Sequence, residues 1–99
     1  MSRKVYILND GGHDYSASEK FGEPVICTEG AINKDDISQM YRVLTDALYD
    51  ANEKDYILVT SLTSLCMVAS AIMANRFGQV HFLIYRDGRY EPRDLILES

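Results

Sequence analysis

Apolar and polar positions alternate along the chain in two periods, one suited to strands and one to helices. Four short runs, Val5 to Leu8, Val25 to Thr28, Tyr56 to Thr60 and Val80 to Tyr85, are β-branched or aromatic and bounded by turn residues. Each reads as a strand. Between the second and third runs, Ile37, Met40, Tyr41, Leu44, Ala47, Leu48 and Ala51 recur at steps of three and four, with Ser38, Gln39, Arg42, Thr45, Asp46 and Asp50 opposite. That spacing predicts a helix with one wet face. Asn33 is its candidate N-cap, and Asp35 and Asp36 fall in the first turn, where carboxylates suit the positive end of the helix dipole.

The second helix has no polar face. From Leu65 to Ala74 only Ser70 is polar, before Asn75, Arg76 and a closing Gly78. A helix that is apolar all round must be covered on all sides. After the fourth strand, Asp87-Gly88 fits the two-residue hairpin turn that needs positive φ twice. A fifth, antiparallel strand therefore runs from Arg89 to about Leu97, and Pro92 within it marks an edge or a bulge.

This alternation predicts a compact, Rossmann-like α/β fold. Right-handed crossovers give a mostly parallel five-stranded sheet in the order 2-1-3-4-5, with the last strand antiparallel and two main helices on one face. The other face falls to residues 9 to 24, yet the fourth strand is apolar on both sides. Cover by a well-packed loop or by another protomer is expected, and a homo-oligomer, dimer or higher, is expected through the helix Leu65 to Ala74 or the free sheet face.

Composition narrows the classes. At 99 residues the chain reads as a single domain, residues 1–99, with 46% hydrophobic and 25% charged positions. Its net charge of -5 disfavours long nucleic acid, whose binding needs clustered Lys and Arg. Neither a signal-peptide core nor a bilayer-length apolar run occurs, so a cytoplasmic protein without membrane attachment is expected. Cys27 and Cys66 lack zinc spacing and read as buried thiols.

In open parallel sheets ligands bind beyond the carboxyl ends of the strands, where neighbouring strands send the chain in opposite directions. Here that point lies between strands 1 and 3. Strand 1 delivers Asn9, Asp10, Gly11, Gly12, His13, Asp14, Tyr15 and Ser16; strand 3 delivers Thr60, Ser61, Thr63 and Ser64; strand 2 ends with Thr28, Glu29 and Gly30. A glycine pair and two helix starts can present backbone N–H groups to an anion, Tyr15 can stack on a ring, and Asp10 or Asp14 can accept hydroxyl hydrogens. A purely structural alternative exists: Ser16 and Glu19 form a capping box, and Gly11-Gly12 is the turn before it.

A hydrolase would use His13 with Asp10 or Asp14, but the only other histidine, His81, lies inside strand 4. Most tyrosines, Tyr85 included, read as core; Tyr15 and Tyr90 read as exposed. Arg86, Arg89 and Arg93 on the last hairpin form either a charged edge or a docking patch.

The block D-Y-I-L-V-T-S-L-T-S-L-C-M-V-A-S-A-I-M-A resembles the core of CRISPR-associated Rossmann-fold (CARF-like) sensor domains, with Leu62-Thr63 where that family has a glycine pair. The resemblance implies dimers that bind cyclic oligonucleotides, through Thr60, Ser61 and Thr63 here. The cadence K-V-Y-I-L-N-D-G-G-H-D-Y-S is similar to small proteins carried by bacteriophages, which implies a role against or beside host machinery. The expectation is a non-catalytic binding module for a small anionic or nucleotide-type ligand, held by Asp10, Gly11, Gly12, His13, Asp14, Tyr15, Thr60, Ser61 and Thr63. The alternatives are a protein that covers a host factor and a small metal-assisted hydrolase. No cofactor is indicated.

Overall fold

A computed structural model describes residues 3–60 and 62–98. The chain forms β1 (Lys4–Ile7), a 3-10 helix (Ser16–Phe21), β2 (Glu23–Ile26), α1 (Ile37–Ala47), β3 (Tyr56–Leu58), α2 (Thr63–Phe77), β4 (Gln79–Arg86) and β5 (Arg89–Ile96). The strands lie in the order β2-β1-β3-β4-β5. β2, β1, β3 and β4 are mutually parallel and β5 is antiparallel to β4, the α/β arrangement that the alternation of elements dictates.

Register sorts the side chains onto two faces. Tyr6, Leu8, Ile57 and Val80 pack under Met40, Leu44 and Leu48 of the α1 segment and Leu65, Ala69, Ile72 and Met73 of α2. Val5, Ile7, Tyr56, Leu58, Leu83 and Tyr90 form a second core on the opposite face. Its cover comes from the chain itself. Phe21 and Tyr15, at the two ends of the 3-10 helix, pack against it, and Phe21 meets Tyr56 edge-on at 5.8 Å.

α2 resolves its lack of a polar face partly through small residues. Leu65, Val68, Ala69, Ile72 and Met73 are buried, while the exposed positions are Thr63, Met67 and Ala71 besides Asn75 and Arg76. Among these Met67 is the large apolar one, at 66% exposure.

Several elements start away from the expected residues. α1 is capped by Asp36, whose Oδ1 accepts from the Gln39 N–H at 3.0 Å. Asn33 instead accepts from Asp35 and closes a turn one step earlier. β2 begins at Glu23, two residues before Val25, because Gly22 lets the chain run against β1: a Cβ there would stand 2.6 Å from the Arg3 carbonyl. Pro24 is tolerated since β2 is an edge strand. The hairpin is as expected, with Asp87 at φ 52° and Gly88 at φ 86°.

Two buried polar arrangements fix the frame. Asp55, 1% exposed, accepts the Lys4 N–H at 2.9 Å and the Asn52 N–H at 2.8 Å, tying the start of β1 to the turn before β3. Arg76, near the end of α2, donates to the carbonyls of Leu48 and Tyr49, the terminal groups of α1 that have no helical partner.

Candidate functional site

The crevice is built where β1 and β3 end. Beyond Ile7 the first two strands stay joined: Thr28 Oγ1 donates to the Leu8 carbonyl at 2.6 Å and lies 2.8 Å from Asn9 Oδ1, and the Asp10 N–H donates to the Thr28 carbonyl. The chain then folds over. Gly12, at φ 82°, donates its N–H to Asp10 Oδ1 at 3.0 Å, an Asx turn that glycine permits without strain. The Gly11 N–H reaches the Tyr15 hydroxyl at 3.2 Å, and that hydroxyl donates to the Asn9 carbonyl at 3.4 Å. The phenol therefore braces the loop it belongs to.

Asp14 starts the 3-10 helix. Its Oδ1 accepts from the Ser16 N–H at 2.9 Å, and the hydrogen bonds from Ser16, backbone first, hold its carboxyl below the usual carboxylate range. The residue in the N-cap position is Tyr15, with no side-chain cap bond. The Ser16/Glu19 capping box expected from the sequence is thus replaced by Asp14, one turn signal upstream.

At the second loop, Leu62 N–H donates to Thr60 Oγ1 at 3.2 Å and Thr60 N–H to Cys66 Sγ at 3.3 Å. Between the loops lies a cavity of about 600 Å³. Its apolar lining is Leu58, Val59 and Leu62; its polar lining is Asn9, Gly11, His13, Asp14 and Thr60. Three tyrosines, Tyr15, Tyr85 and Tyr90, complete it. Tyr85 and Tyr90 stand opposite each other on β4 and β5, edge to face at 5.3 Å, and His13 lies edge-on to Tyr15 at 6.2 Å. Burial, aided by the neighbouring Tyr15 and Tyr85, raises the Tyr90 phenol, which is a hydrogen-bond donor at neutral pH.

The residues chosen from the sequence divide accordingly. Gly11, His13, Asp14, Tyr15 and Thr60 line the cavity, whereas Asp10 and Gly12 make the turn behind it. Thr63 lines a separate cavity of about 220 Å³ with Lys34 and Ser64. Ser61 lies outside the described residues.

Asn9, Tyr85 and Tyr90 were not chosen, and the two hairpin tyrosines exchange their expected roles: Tyr85 is 60% exposed and Tyr90 7%. The signal was present. A two-residue turn at Asp87-Gly88 pairs position 85 with position 90, on the same face as Leu83.

Other candidate chemistry lies elsewhere. His81 faces Asp94 across the β4–β5 ladder, Nδ1 to Oδ1 2.7 Å. Arg93 pairs with Glu91 at 3.2 Å, and Arg86 approaches Asp87 at 4.0 Å. Among the described residues, no three His, Cys, Asp or Glu side chains converge as metal ligands. No helix among them is long and apolar enough to cross a membrane.

Comparison with known proteins yields one match. The family model for phage Pam3 gp32-like proteins covers residues 3–96. The chain belongs to that family, in keeping with the resemblance of its N-terminal cadence to small phage proteins. No curated protein and no solved structure matches it.

Proposed function

We propose that this member of the phage Pam3 gp32-like family is a non-catalytic binding module, holding a small nucleotide-type ligand in the crevice between the β1 and β3 loops. The observation that carries the reading is the meeting of Tyr15, Tyr85 and Tyr90 with Asn9, Asp14 and Thr60 around one cavity at the carboxyl ends of parallel strands. Its volume of about 600 Å³ lies inside the range usual for small-molecule sites. A ring would stack on the tyrosines while hydroxyl groups meet Asp14 and Thr60.

The reading assigns the ring and sugar to the cavity and leaves any phosphate at the mouth. The N–H groups of Gly11, Gly12 and Leu62, which an anion would need, already donate to Tyr15, Asp10 and Thr60. In a phage protein such a module would act in the host cytoplasm, sequestering a nucleotide signal of host defence. Thermal-shift and calorimetric screening with nucleosides, nucleotides and cyclic nucleotides tests this. Ligand at a hundredfold excess over Kd should add about 2.7 kcal/mol of stability. Silence across that panel would end the proposal.

A second reading, a surface that covers a host protein or a second copy of the chain, draws on a different observation. Leu95, Ile96 and Leu97 are exposed in succession at the end of edge strand β5, beyond its charged half.

A further inference from the structure

Resting on the binding reading above, we propose that the crevice selects an organic cation, a ring or head group whose positive charge is delocalised or quaternary. The faces of aromatic rings carry negative potential and attract such groups. Three tyrosine rings line the cavity, and one of them, Tyr85, is a large side chain left 60% exposed at its wall. Asp14 adds a carboxylate to the same lining. Asn9 and Thr60 stand in the same lining, their oxygens each already accepting one hydrogen bond from the chain, from Tyr15 and Thr28 and from Leu62.

The distribution of positive charge points the same way. Among the described residues no Lys or Arg lines the cavity. Arg76 is held by the carbonyls of Leu48 and Tyr49, Arg3 by Tyr56, and Arg93 by Glu91, while Arg86 and Arg89 form the next pair along the hairpin after Tyr85 and Tyr90, outside the lining. The site thus offers three phenol rings, the His13 imidazole and one carboxylate, in a chain of net charge -5, with the N–H groups of Gly11, Gly12 and Leu62 satisfied internally. An anion meets no Lys or Arg in the lining and is repelled by Asp14, and a neutral ring gains stacking and hydrogen bonds without charge attraction. A hard divalent ion needs several oxygen ligands and has a single carboxylate in the lining. A soft organic cation uses the tyrosine rings and the Asp14 carboxylate together.

The test compares 7-methylguanosine, whose ring carries a delocalised positive charge while N1 keeps its proton, with neutral guanosine, by calorimetry on the full chain at mildly acidic pH. Tetramethylammonium serves as a ringless cation. The expected result is 7-methylguanosine binding about tenfold more tightly than guanosine, the scale of one desolvated cation–π contact.

Asp14→Asn keeps an oxygen for the Ser16 N–H, and Tyr85→Leu alters an exposed position, so both variants fold. Each should reduce the preference about threefold or more while guanosine affinity changes less in Asp14→Asn. Guanosine binding as tightly as its methylated form overturns the cation inference and leaves the binding reading standing. If neither nucleoside nor tetramethylammonium binds, the cation inference falls, and the wider nucleotide panel decides the binding reading. A preference that persists unchanged in both variants also overturns the assignment, because the charge would then be read elsewhere.

Discussion

Asp55 bears more of the fold's stability than its single carboxylate suggests. It is fully buried, and its two oxygens accept backbone N–H groups of Lys4 and Asn52, one on β1 and one on the turn before β3. Asp55→Ala removes both acceptors and leaves two amides without partners. Hydrogen bonds to a charged group contribute about 1.5 to 3 kcal/mol each, and the exposed Asn52 recovers part of its share from water, so the expected loss is about 2 to 5 kcal/mol. That is a large fraction of the roughly 5 to 15 kcal/mol of a domain this size.

Asp55→Asn keeps one acceptor and turns an NH2 group toward a donor, so it should lose about half as much. Urea unfolding followed by circular dichroism reads both, and the melting temperature should fall by about 4 to 8 °C per kcal/mol. A second readout comes from Tyr6, whose phenol is pushed up to about 12, first by burial and next by the charge of Asp55. In Asp55→Asn it should titrate lower, yet still above an ordinary tyrosine. Loss of less than about 0.5 kcal/mol in the alanine variant, or a larger loss in Asp55→Asn than in Asp55→Ala, would refute the reasoning.

Other outcomes follow from the same structure. Burial pushes the Cys27 thiol up from 9.0 to about 12, and Tyr6 rises from 10.0 to about 12, so the folded state favours both neutral forms. Their contribution is intact below the ordinary thiol value and is lost as pH climbs through about 12. Urea midpoints across an alkaline series should fall in that window, and Cys27→Ala should delay the onset. Gly22→Ala forces a Cβ to 2.6 Å from the Arg3 carbonyl, and overpacking of this kind costs about 1 to 3 kcal/mol, readable as a lowered melting temperature. If Leu95, Ile96 and Leu97 are covered by a second copy, light scattering should show a dimer that Ile96→Lys disperses; a monomer before and after would leave that strip to another partner.

Much of the fold was legible because it rests on periodicity. The order 2-1-3-4-5, the Asp87-Gly88 hairpin and the Gly78 end of α2 follow from strand alternation, positive-φ residues and helix length. The crevice location followed from topology alone. The capping residues did not, because Asn33, Asp35, Asp36, Asp14 and Ser16 are all competent caps within a few positions of one another. Which one acts depends on where the sheet releases the chain, a tertiary matter. Tyr85 and Tyr90 exchange the expected core and exposed roles for a related reason: strand position alone does not say which face is covered, and only hairpin register, together with the loop that arrives above Tyr90, separates them.

The 3-10 helix and the residue before it, Tyr15 to Phe21, join two tasks in one short segment. Phe21 closes the sheet face over Tyr56, and Tyr15, one residue before the helix, forms a wall of the crevice. The first loop cannot swing outward as a lid without lifting core contacts, so if the crevice binds as proposed, its entrance on that side is preformed. Motion is left to the opposite wall, where the exposed ring of Tyr85 can turn about its own side-chain bonds on a nanosecond scale. If the proposed ligand enters here, its association should run near the rate of unhindered encounter, and residence time, set by the ring that must turn aside, should carry the differences among ligands.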